Sequence, residues 1–235
     1  MKKIILFVLS ICLCFTVFGG SAFAESAAAD TPAAEMTAEE LYQTGQDAFD
    51  AEDYGKAMEY YQLAADQGVA AAWRSIGYLY DYGYGVEQDY DKALEYYLLA
   101  ADQGDPGAMF NIGLMYNFGE GVEQDYGKAA EYYQKAADQE DADALLNLGI
   151  LYCNGTGVEQ DFSKAYDCLL RSAAQGIPNA MFDLGVCFHE GLGVEKDPDQ
   201  AAEWYRKALE AGYEPQVEEE QARLKEVLGD DYTQK

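Results

Sequence analysis

Apolar residues recur at helical spacing through most of the chain, and the whole pattern returns every 36 residues. Ala72, Ile76, Leu79 and Tyr80 fall at i, i+4, i+7 and i+8, one apolar face of a helix. The same face returns as Ala108, Ile112, Met115, Tyr116 and as Ala144, Leu148, Leu151, Tyr152. A second apolar stripe, Ala93, Tyr97 and Ala100, follows a polar octet and predicts a second helix in each unit. Units aligned without gaps run 69–104, 105–140, 141–176 and 177–212, and the first two are identical at 20 of 36 positions. A period of this size marks stacked supersecondary units, so the chain reads as all-α.

The octet "GYGVEQDY" at residue 83 returns as "GEGVEQDY", "GTGVEQDF" and "GLGVEKDP". Gly83 and its equivalents follow the first helix, where a left-handed residue ends a helix well. The second glycine reverses the chain, and Val86 plugs the turn. Asp89, Asp125, Asp161 and Asp197 then read as N-caps, since Pro198 after Asp197 suits the first helical position. A phosphate-binding loop is a poor fit, because it wants a strand before its glycines and a third glycine after them. Inside the first helix stand Gly77, Gly113, Gly149 and Gly185. Mid-helix glycine costs ~1 kcal/mol against alanine, so its recurrence predicts close helix approach.

An earlier unit, 37–68, lacks the GxGV insertion: Gly45 to Ala57 is 12 residues where Gly77 to Ala93 is 16. That is tetratricopeptide spacing, and Thr37 with Glu40 forms a capping box at its start. Residues 25–36 read as a flexible leader and 213–235 as a capping helix, with Val217, Leu224, Val227 and Leu228 as its apolar stripe. Residues 1–24 have the layout of a signal peptide: Lys2 and Lys3, an apolar run from Ile4 to Phe18, and Ala22-Phe23-Ala24. Cleavage there predicts an exported protein, extracellular or periplasmic, with no stable membrane insertion afterwards. The remaining chain holds 13 basic and 43 acidic residues, a net −30. Such a charge disfavours nucleic acid and favours neutral or basic partners. Cys153, Cys168 and Cys187 remain after cleavage, so at most one intramolecular disulfide forms.

The pattern A-x3-[IL]-G-x-[LM]-Y-x2-G-x-G-V-x2-D-x3-A-x2-Y-Y-x2-A-A resembles the Sel-1-like repeat, a relative of the tetratricopeptide repeat, over residues 69–212. Cys168 departs from it where Tyr96, Tyr132 and Trp204 stand, and Cys187 replaces a core leucine. The resemblance implies a right-handed α-solenoid of stacked antiparallel helix pairs. It also implies a scaffold or adaptor for other proteins, often in secretion, envelope signalling or host contact. An alternative implied by secreted members is a weak hydrolase or a protein binding peptidoglycan or β-lactams. The cysteines of that subgroup do not recur here, and Ser75, Ser163 and Ser172 lack a lysine three residues on.

The inventory for catalysis is thin. His189 is the one histidine, and "HEGLG" is not a zinc-protease motif. Asp89/Asp91 and Asp141/Asp143 lack the glycine and terminal glutamate of a calcium loop and read as caps. No catalytic residue, metal or cofactor is expected. By analogy with tetratricopeptide geometry, positions beside the core stripe of each first helix face a concave groove able to hold a protein or peptide. These are Arg74, Tyr78 and Tyr82 with Asp81; Phe110, Asn111, Leu114, Asn117 and Phe118; Leu146, Asn147, Ile150 and Asn154; and Phe182, Asp183, Val186, His189 and Glu190. Asn111, Asn147 and Asp183 form a ladder suited to peptide backbone.

Overall fold

A computed structural model describes residues 33–229; the signal segment and most of the leader lie outside the described residues. Eleven α-helices follow a short 3-10 turn among them: α1 (Ala38–Asp50), α2 (Tyr54–Asp66), α3 (Ala70–Tyr82), α4 (Tyr90–Asp102), α5 (Pro106–Phe118), α6 (Tyr126–Ala137), α7 (Ala142–Asn154), α8 (Phe162–Ala174), α9 (Pro178–Glu190), α10 (Pro198–Glu210) and α11 (Glu218–Leu228). No described residue is in a strand, and the helices alternate as first and second members of successive hairpins, the repeat-solenoid class. Leader residues Ala33–Glu35 form the 3-10 turn and Met36 is buried, so the chain engages its core before Thr37.

The chain divides after Ala108 into two compact units. In the N-terminal unit α1 pairs with α2 and α3 with α4, while α2 packs on α3. In the C-terminal unit α7 pairs with α8 and α9 with α10, with α6 against α7, α8 against α9 and α11 on α10.

The caps stand where the residue pattern places them. Asp89, Asp125, Asp161 and Asp197 each accept from the backbone N–H three residues on, at 3.0 Å. Thr37 N–H donates to Glu40 at 2.8 Å, and Glu40 N–H donates back to Thr37 Oγ1 at 3.3 Å. Each inter-helix loop is closed by its own residues: Asp89 N–H donates to the Tyr80 carbonyl at 2.9 Å and Gln88 Nε2 to the Asp81 carbonyl at 2.7 Å.

The mid-helix glycines are seats for the second helix. A Cβ on Gly77 would meet ring atoms of Tyr97 at 2.7 Å, and Gly45 lies in the same way under Tyr61. In the C-terminal unit Tyr133 covers Gly113 and Tyr205 covers Gly185, while Leu169 covers Gly149. Tyr97, Tyr133 and Tyr205 are thereby fully buried, which ties the expensive glycine to the largest core side chains. The second loop glycine is also a contact residue. Gly85 (φ +70) rests on Tyr54, where a Cβ would stand 2.6 Å from the Tyr54 Cβ, and Gly193 rests on the Phe162 backbone. The Gly85 loop thus docks on α2, and the Gly157 and Gly193 loops dock in the same way on α6 and α8.

Cys153, Cys168 and Cys187 are free and buried, and burial pushes the Cys168 thiol up to about 11 and Cys187 to about 12. They pack as small apolar groups and are protonated at neutral pH.

Candidate binding surfaces

In the N-terminal unit the expected groove residues serve two different ends. Arg74 forms an ion pair with Asp105 at 2.9 Å and lies across Gly107. Asp105 also accepts from Ala108 N–H at 2.7 Å, so Arg74 holds a helix cap in place. Its charge is engaged within the unit. Tyr78 and Tyr82, one turn apart on α3, have ring centroids at 4.4 Å. They belong to a larger group with Phe49 at the end of α1, Tyr54 at the start of α2 and Tyr84 at the loop tip. None of the five rings is buried, and Tyr82 is 49% exposed. Partial burial, then Tyr82, Tyr84 and Asp81, pushes the Tyr78 phenol up to about 12. Asp81 accepts a hydrogen bond from the buried Tyr97 hydroxyl at 2.9 Å, which fixes its carboxylate beside the group.

Phe49, Tyr54 and Tyr84 were not among the expected groove residues. A signal was present: Tyr78 and Tyr84 stand where the later units have Leu114, Ile150, Val186 and Glu120, Thr156, Leu192.

The C-terminal unit spreads its expected residues more unevenly. Phe118, the last residue of α5, is 43% exposed. Phe110 and Leu114 lean on the core around Tyr133, and the Phe110 ring lies 5.8 Å from the Tyr133 ring. Asn111 is half-buried. Asn147 donates to the Asp143 carbonyl of its own helix at 2.9 Å, Ile150 packs on the core, and Asn154 ends α7 half-buried.

Four expectations are corrected. Asn117 is buried, with its carbonyl accepting from Gln124, and Val186, Leu146 and Phe182 are buried too. They point into packing between helices because an α-helical face wide enough to touch two neighbours leaves little for solvent.

The last rung of the ladder faces α11. Asp183 lies near Glu220 and Arg223, and burial, with Glu220 adding to it and Arg223 opposing, pushes its carboxyl up to about 8. His189 Nε2 is 3.7 Å from Glu226, and its ring stands edge-on to Tyr205. Glu220 accepts from Gln216 and Val217 N–H, capping α11. Leu224 is fully buried, with Val227 and Leu228 beside it, while Val217 is the half-buried N-cap. Asp183 and His189 are therefore partners of the terminal helix, and Asn111, Asn147 and Asp183 do not form three equivalent polar rungs.

Comparison with known proteins follows the repeat boundaries. The family model of the Sel1 repeat matches residues 31–69, 71–105, 106–141, 142–177 and 178–213. A Sel1 repeat protein from Oxalobacter formigenes is 36% identical, with a TM-score of 0.71 over 79% of this chain and 74% of that one. The protein c5321, a protective antigen present in uropathogenic Escherichia coli strains and displaying an SLR fold, is 29% identical with a TM-score of 0.72. That alignment covers 81% of this chain but 41% of the antigen. A putative Sel1 repeat protein from Klebsiella pneumoniae subsp. pneumoniae, at 21% identity and TM-score 0.53 over 83% and 95% of the two chains, shares the fold. No curated protein matches the chain.

Proposed function

The chain belongs to the Sel1 repeat family, and from that premise we propose that it is an exported adaptor that binds a segment of another protein and performs no chemistry on it. The repeats of such families typically serve as protein-interaction scaffolds, a fold-level argument that leaves the partner open. The observation that carries the reading is the exposure of Tyr82 and Phe118. Each is the last residue of a first helix, at equivalent positions of consecutive units, and each leaves over two-fifths of its surface in water. The consensus residues around them are engaged in caps, seats and core, whereas these two rings keep much of their surface in water. Exposed aromatics flanked by polar groups are the usual material of binding hot spots. Export rests on the layout of residues 1–24.

Affinity capture from envelope and culture fractions tests the reading. The wild-type chain is expected to retain a partner that Phe118→Ser and Tyr82→Ser variants release, with thermal melts showing the variants folded. Equal retention by all three chains, or none by the wild type, would rule it out. Export is checked by N-terminal sequencing of the mature chain, with Glu25 as the expected first residue.

A further inference from the structure

The aromatic group of the N-terminal unit has a composition that selects its occupant. Phe49, Tyr54, Tyr78, Tyr82 and Tyr84 form one surface patch, with neighbouring ring centroids 4.4–6.0 Å apart. Carboxylates stand at its edge. Asp50 and Glu52 lie exposed at the α1–α2 turn, and Glu52 is held there in a left-handed conformation (φ 60) by its N–H bond to the Phe49 carbonyl. The charge of Glu52 reaches Tyr54 and that of Asp81 reaches Tyr78, each adding to burial in keeping the phenol protonated. In the later repeats the positions of Tyr78 and Tyr84 hold Leu114, Ile150, Val186 and Glu120, Thr156, Leu192, so the cluster does not recur in them. Tyr84, at the tip of the loop whose Gly85 rests on Tyr54, stacks on the Tyr54 ring, centroids 5.0 Å apart.

We propose that this patch is a cradle for a lysine- or arginine-bearing stretch of the partner protein, the rings receiving the cation on their faces and Asp50, Glu52 and Asp81 neutralising it. The proposal rests on the adaptor reading and narrows it to one surface and one partner chemistry. Ring faces carry negative potential and attract ammonium and guanidinium groups within ~6 Å of the centroid. The chain uses this contact elsewhere: lysines sit over Tyr60, Tyr80, Tyr116, Tyr132, Tyr152 and Trp204 at 4.2–5.8 Å. Those rings are different from the ones in the patch. A neutral apolar segment would instead have to strip water from the exposed carboxylates of Asp50 and Glu52 with nothing to replace it. A net charge of −28 further favours a cationic segment over an anionic one.

The test is a titration of the purified protein into a fluorescein-labelled peptide alternating glycine with three arginines, against the same peptide with citrulline, a neutral isostere, for each arginine. The arginine peptide is expected to bind at least about tenfold more tightly than the citrulline one. Tyr82→Leu/Tyr84→Leu, which keeps apolar bulk and removes two π faces, is expected to weaken binding about fivefold or more. Asp50→Asn/Glu52→Gln supplies an independent variant should the first fail to fold. Glu123→Gln/Glu159→Gln, in loops of other repeats, is the control for diffuse charge and is expected to leave binding unchanged. Equal weakening by patch and control variants, equal binding of the two peptides, or no binding of either would overturn the cradle. So would self-association of the peptide-free protein that Tyr82→Leu/Tyr84→Leu abolishes, since a second copy would then occupy the patch. If the fraction-derived partner is still captured by Tyr82→Leu/Tyr84→Leu, the cradle fails while the adaptor reading stands; if the wild type captures none, the adaptor reading itself fails.

Discussion

Two glycines of the N-terminal unit should answer a methyl group in opposite ways. Gly77 lies under Tyr97, where a Cβ would meet the ring at 2.7 Å and the Ala93 carbonyl at 3.1 Å. The ring is buried and the carbonyl is backbone, so neither yields without moving α4 against α3. Gly77→Ala gains up to ~1 kcal/mol of helix propensity but incurs ~1–3 kcal/mol of overpacking, so a net loss is expected. Gly55 is exposed in the first turn of α2, and its nearest neighbour, Asp53 Oδ1, is 4.0 Å away. Gly55→Ala is therefore expected to stabilise by ~0.5–1 kcal/mol, or roughly 2–4 °C in melting temperature per kcal/mol. Thermal unfolding of both variants checks the pair, and a shift of the same sign in each would contradict the seat. At this scale the sequence was partly legible. Recurrence marked the glycines as sites of close approach, but not the tyrosine that covers them, because the partner lies 20 residues away on another helix. Asn117 and Val186 failed as surface residues for the same reason: periodicity locates a stripe, and the width of that stripe depends on neighbours.

The helices, their caps and the loop glycines were readable because each is a local device repeated four times in register. The terminal helix was less so. First helices α3, α5, α7 and α9 begin 36 residues apart, whereas α11 begins 40 after α9, and the shift brings Glu220 and Arg223 to Asp183. That meeting predicts a pH-dependent docking of α11. Asp183 keeps its proton up to about pH 8 in the folded chain but would lose it near ~4 when unfolded. The folded state thus holds more protons between those values, and the contribution of this group to stability falls as pH rises from about 4 to about 8. Asp183→Asn, which installs the residue found at positions 111 and 147, is expected to raise the melting temperature more at pH 8 than at pH 5. The value of about 8 already includes the attraction of Arg223, so the gain at pH 8 is bounded at about 5 kcal/mol, and it is expected to exceed the gain at pH 5 by at least about 1 kcal/mol. Melts of the two proteins across that range decide it; a constant difference would mean that Asp183 is ionised in the folded chain at both values.

Across the whole molecule, stability in a repeat protein is a sum of units and the interfaces between neighbours, and the terminal unit needs a polar outer face. Removing residues after Glu214 would uncover the core that Leu224 and Val227 close, and the shortened chain is expected to melt several degrees lower and to bind an apolar dye. Charge acts at the same scale but on partners. A chain of net −28 surrounds itself with a field that reaches ~10 Å at 0.1 M salt and ~3 Å at 1 M. Such a field draws a basic partner in from solution, whereas the rings of the N-terminal patch act only once contact is made. The two contributions should therefore separate kinetically. Raising salt from 0.05 to 0.5 M is expected to slow association by about tenfold and to alter dissociation by less than about threefold. Loss of Tyr82 and Tyr84 should do the reverse, speeding release and leaving association near its wild-type rate. Surface plasmon resonance on the captured partner measures both rates. Salt-insensitive association would assign the acidic surface to solubility alone, and a slower on-rate in the tyrosine variant would mean that the patch takes part in first encounter rather than in holding the bound segment.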